Sequence, residues 1–136
     1  MLECYFRTEK RITFENTTKR FLTFRIFDNL FLNEHGYSAF FKSRLPKSGS
    51  QRENYINGLF LSKPELLQGI KNKYFLSNDQ HHLEIKENAH FENIIFSTFV
   101  GGCRHSDNSM YNQRPRQSIL VVDSEGVSEI VHIFFD

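Results

Sequence analysis

The sequence predicts an α+β domain, an antiparallel β-sheet of about 4–6 strands packed against one long helix and one or two shorter ones. Three observations carry this. Phenylalanines recur at helical spacing in the first third of the chain, the apolar period switches from helical to two from Leu83 onward, and Asp123-Ser124-Glu125-Gly126 has the composition of a hairpin turn. The expected unit is residues 1–136 as a single domain.

Along the chain, Leu2, Cys4 and Phe6 alternate, and Ile12 and Phe14 resume the pattern, as expected of a hairpin or one bent strand over 2–14. Phe21, Phe24, Phe27 and Phe31, with Leu22, Ile26 and Leu30 beside them, predict the main core helix over 17–35, capped by Asn16 or Thr17 and stopped at His35-Gly36. The stretch from Tyr37 to Leu45 reads equally as a short helix or a strand, and Pro46 to Gln51 as a loop. Ser62-Lys63-Pro64-Glu65 has the form of a capping box, so a second helix is expected there, burying Leu66, Leu67, Ile70 and Tyr74. Leu83 and Ile85 then alternate with polar residues, Asn88-Ala89 makes a turn, and Asn93 to Val100 forms the next strand. Ile119 to Val122 and Val127 to Phe135 complete a hairpin. On its second strand, Val127, Val131, Ile133 and Phe135 are expected to face the core and Ile130 and Phe134 the other side. With apolar residues on both faces, this strand is either central or meets another subunit.

Seventeen basic and sixteen acidic residues leave a formal charge of +1, which removes any global attraction to nucleic acid or anionic membrane. No apolar run approaches the roughly 18 to 20 residues of a membrane helix. Cys4 and Cys103 do not make a disulfide framework, and the first residues lack the pattern of an export signal, so a reduced, cytoplasmic protein is expected. Fifteen Phe and no Trp predict an aromatic core. The pairs Phe40-Phe41 and Phe134-Phe135 are where an exposed patch would be sought.

The densest chemistry lies in the polar segment 101–117, which has no periodicity of its own; segments of that length are often functional. Its candidate binding residues are Arg104, His105, Asp107, Tyr111, Arg114 and Arg116. Cys103 and His105 fall short of zinc-ligand spacing, and His81, His82 and His90 add no paired motif, so neither a metal nor a cofactor is expected. Arg25, Ser97-Thr98 and Glu129 resemble in part the Arg-Ser-Glu set of ADP-ribosyltransferases, but Phe99 and Val127 stand where that family needs a serine and a further Glu or Gln, and the likeness is set aside.

The expected function is that of a small non-enzymatic protein-binding module of the immunity or inhibitor type found in bacterial competition and phage defence. Tyr111 and an arginine would anchor it to a partner protein, and a homodimer is also open to it. The alternative is a small metal-independent ribonuclease or other RNA-acting protein, with His105 as acid or base and Arg104, Arg114 and Arg116 bracing a phosphate.

Overall fold

The computed structural model describes residues 8–10, 21–35, 37–38, 43–44, 50–78, 82–97 and 115–135. Its centre is a mixed five-stranded sheet in the order β1-β2-β5-β7-β6, built from Phe21–Ile26 (β1), Asn29–Glu34 (β2), Asn72–Ser77 (β5), Glu84–Glu87 (β6) and Glu92–Ile95 (β7). Two short bridged segments, Tyr37–Ser38 (β3) and Ser43–Arg44 (β4), follow β2, and a separate hairpin joins Arg116–Val122 (β8) to Val127–Phe134 (β9). One α-helix, Ser50–Leu61 (α1), and a 3-10 turn, Pro64–Leu66, complete the described elements.

The α+β class and the one helix agree with expectation, but the wholly antiparallel sheet does not. β2 pairs parallel with β5, and β5 parallel with β7. For the first pair the connection contains α1, which carries the chain from the end of β2 back to the start of β5, as a parallel crossover requires; for the second, β6 lies in the connection and runs antiparallel to β7. The outer pairs, β1 with β2 and β6 with β7, are antiparallel.

The expected helix over 17–35 is instead the β1–β2 hairpin across the described part of that range. Its helical phenylalanine spacing coincides with cross-strand register: Phe24 lies opposite Phe31, and Phe31 beside Tyr74 of β5. The three rings stack in a ladder, with centroids 5.1 Å and 4.8 Å apart. Because β2 is central and buried on both sides, Leu30, Phe31 and Leu32 form an unbroken apolar run, which hides the strand period.

The helix expected after Ser62 shrinks to one 3-10 turn, and Tyr74 belongs to β5. Ser62 Oγ donates back to Leu59 O at 2.7 Å, closing α1 instead of opening a new helix. The sequence reads as loop up to Gln51 and carries little helical signal beyond it, since the inward stripe of α1 at i, i+4 and i+8 is Arg52, Ile56 and Phe60, and an arginine in first place blurs an amphipathic pattern.

The sheet is covered on both faces. On one, Leu30, Leu32, Phe75 and Phe91 pack with Ile56 and Phe60 of α1. On the other, Phe31, Tyr74, Leu76 and Ile94 pack with Leu120, Val122, Val127 and Ile130 of the β8–β9 hairpin. The expected β6–β7 and β8–β9 strands are present, but the facing of β9 is corrected by a register shift. Val121 pairs with Glu129 and Val122 with Val127, so Ser128 is an extra residue. Such a bulge changes the phase of alternation. Val127 and Ile130 therefore both face the sheet, and Val131 and Ile133 face away.

Candidate interaction surface

The β1–β2 link is two residues long, Phe27-Asp28, and Phe27 takes φ +53°. That left-handed conformation is cheap for glycine and tolerable for asparagine, but costs a bulky residue about 1–2 kcal/mol. Arg25 holds the turn in place. Its Nε donates to Phe27 O at 2.6 Å, one terminal nitrogen to Asp28 Oδ1 at 2.6 Å and to Gly69 O at 3.4 Å, and the other to Gln68 O at 3.2 Å. The planar fork of a guanidinium is the group that can serve a turn and a neighbouring loop together. Asp28 O in turn accepts from the amides of Lys71 at 2.8 Å and Asn72 at 3.4 Å. The result is a rigid tip on which Phe27 is 61 % exposed, next to the exposed Ile26.

The β8–β9 turn is tied into the same end. Asp123 Oδ1 accepts from the amides of Glu125 and Gly126 at 2.7 Å and 3.1 Å, an Asx turn that shapes the reversal. Buried Asn29 donates from Nδ2 to Asp123 O at 2.7 Å, and Asn72 Nδ2 serves both Asn29 Oδ1 and Glu125 O at 2.8 Å. Tyr74 Oη accepts from Val127 N at 2.9 Å. Burial raises this phenol above its ordinary pKa despite that bond. Lys71 Nζ lies 3.3 Å from Glu125 Oε1. Thus three chain reversals, at 27–28, 67–72 and 123–126, are joined by backbone and side-chain bonds.

Beside them opens a polar cleft of about 190 Å³, walled by Lys71 to Tyr74 and Glu87 to Glu92. Glu92 stands opposite Glu87, and burial, then the facing carboxylate, pushes its pKa above the usual glutamate range. Toward the other end of the parallel strands, buried Arg52 donates to Asn93 Oδ1 at 2.8 Å and Ser77 Oγ at 3.4 Å, with buried Glu34 and also Glu84 supplying negative charge. Burial lowers the pKa of this arginine and the two carboxylates oppose that shift. This network joins α1 to β5 and β7. Among the described residues, no group of three or more His, Cys, Asp or Glu could hold a metal.

Of the residues singled out in the sequence, Arg104, His105, Asp107, Tyr111 and Arg114 lie outside the described residues, as do Phe40 and Phe41. Arg116 opens β8 opposite Phe134, with its guanidinium 5.8 Å from that ring's centroid. It sits at the end of the hairpin away from the 123–126 turn, so it is not brought to the Phe27 tip. Phe134 and Phe135 are both exposed. Sequence reasoning missed Phe27 because Phe-Asp is no hairpin-turn signal, whereas Asn-Gly or Asp-Gly would have been.

The fold and its turns define an α+β protein with a mixed sheet enclosed by a helix and a hairpin. No family model matches the chain, and no curated protein does. Among solved structures it is similar to a Vps29 single mutant from Entamoeba histolytica, at 14% identity and a TM-score of 0.49, over 90% of this chain and 66% of that one. The chain thus spans just under two thirds of that protein's length, and a likeness at this level leaves function to be read from the chain's own residues. No helix among the described residues is long and apolar enough to cross a membrane.

Proposed function

We propose that this chain is a non-enzymatic protein-binding module, of the immunity or inhibitor kind, that engages a partner protein through the clamped Phe27 turn. The observation that carries the reading is an exposed aromatic ring on a strained backbone position, rigidified by the four hydrogen bonds of Arg25. Strain of this sort persists where the surroundings over-determine it, and it clusters at functional positions. A ring presented on a preorganised turn loses little entropy on binding, as an interface anchor should. Protein is favoured over RNA because the neighbouring cations are already matched, Arg25 by Asp28 and Lys71 by Glu125. A phosphate backbone calls for surplus cations instead. In this reading Arg104, His105, Asp107, Tyr111, Arg114 and Arg116 form a second contact, and the protein acts in the cytoplasm.

The test is a pull-down from the native host with wild type, Phe27→Gly and a Tyr111→Ala, Arg114→Ala double variant, identifying bound protein and RNA. A stoichiometric protein lost with Phe27→Gly is the expected result, with affinity reduced at least about tenfold as for an interface hot spot. Unchanged capture by Phe27→Gly would remove the turn from the interface. Trimmed RNA, with turnover abolished by His105→Ala, would replace the reading by the ribonuclease one.

A further inference from the structure

The outer face of the β8–β9 hairpin is apolar, with no layer of described residues packed on it. Its rungs, from the turn outward, are Val121 with Glu129, Ile119 with Val131, and Gln117 with Ile133. The four aliphatic side chains are 42–47 % exposed, although the opposite face of the same two strands is packed on the sheet. We infer that two copies of this chain associate through this face, hairpin against hairpin. The inference is independent of the Phe27 reading and of any partner that the turn binds.

The composition of the face favours a second copy over a protein of another sequence. Four of six outward positions are aliphatic and Glu129 is the one ionised group, a composition closer to a homodimer interface than to an ordinary surface. A two-fold axis lying across the strands sets the middle rung, Ile119 and Val131, on its own copy and sends the two Glu129 side chains to opposite ends. From the strand rise, those carboxylates are then about 13 Å apart, beyond the roughly 8 Å over which charges act at physiological salt. Two strands of this length, with their flanks, present a face of roughly 25 by 15–20 Å, or on the order of 450 Å² per copy, short of the ~800 Å² of a standard interface. The dimer is therefore weak and concentration-dependent, with the two hairpins stacked as the layers of a small sandwich about 10 Å apart.

The test is analytical ultracentrifugation of the full chain from 1 to about 300 µM, a range chosen for an interface of this small class, with Val131→Lys and Val131→Glu measured singly and mixed. The expected outcome is a reversible wild-type dimer that either substitution weakens at least tenfold, with thermal unfolding of the dilute protein unchanged, since residue 131 faces away from the core. Because residue 131 meets its own copy across the axis, mixing the Lys and Glu variants should restore association. A wild type that stays monomeric throughout, or a dimer indifferent to both substitutions, would overturn the inference. Dissociated variants that fail to recover on mixing would overturn the two-fold arrangement. Loss of a captured partner with Phe27→Gly alters none of these outcomes, so the two readings fail separately.

Discussion

Phe27 is a residue whose best replacement for folding is its worst for binding. Glycine at φ +53° relieves the left-handed strain, so Phe27→Gly should raise unfolding stability by about 1 kcal/mol, read as a higher midpoint in urea, while partner affinity falls. If stability fell instead, the ring would be a packing residue and the docking argument would lose its basis. Tyr74 and Gly126 make a second local test. Gly126 has φ +142°, and a Cβ there would meet Tyr74 Oη, so Gly126→Ala should cost about 2 kcal/mol through strain and overlap. Tyr74→Phe removes the acceptor of Val127 N and should cost about 1 kcal/mol. The double variant should be less destabilised than the two separate losses combined, since deleting the hydroxyl also makes room for the methyl. Glu92 supplies the pH test. A carboxyl whose folded pKa is raised binds its proton more readily in the folded chain, so stability improves as pH falls through that raised value toward the ordinary one and is lost as pH rises again. Glu92→Gln should flatten this dependence and stabilise the neutral protein by a few tenths of a kcal/mol, the scale of a facing like-charge pair. Equal pH profiles for the variant and wild type would place the repulsion elsewhere.

At the scale of elements, legibility followed solvent. β6 lies at the sheet edge, where polar and apolar residues alternate and the period of two is visible, and the β8–β9 hairpin is marked by its polar Asp123–Gly126 turn between two apolar runs. β2 and β5 are enclosed on both faces and show no alternation, and the phenylalanines around them mimic a helix. The 12-residue α1 escaped notice for the opposite reason, since a charged residue occupies its buried stripe. Arg52 is tolerable there because Asn93, Ser77 and the nearby carboxylates compensate its burial. Arg52→Met should therefore destabilise by about 3 kcal/mol in chemical denaturation, through the uncompensated charge it leaves on buried Glu34, although methionine is the better helix-face residue. A neutral result would mean that the polar network contributes little to docking α1. The proposed interaction surface was less legible than the strands. Its anchor depends on a backbone angle and on bonds from Arg25 to residues more than forty positions away, neither of which leaves a local pattern.

Over the whole molecule, the hairpin β8–β9 is both the cover of the aromatic ladder and a bearer of apolar surface outside. Which of its residues take which part depends on Ser128. Counted straight from Val127, the alternation would bring Val131 and Ile133 to the sheet and turn Ile130 outward; the extra residue reverses this beyond the turn. Both sets are apolar enough for either part, so hydrophobicity alone distinguishes the two phases poorly. The choice rests on polar fastenings near the turn, Asp123 with Gly126, Asn29 with Asp123, and Tyr74 with Val127. A slip of one position along β9 would trade the hidden set for the displayed one, changing what the protein shows to its surroundings without altering its composition. In this sense Ser128 works as punctuation: it carries little of the meaning itself, but decides how the line after it is read.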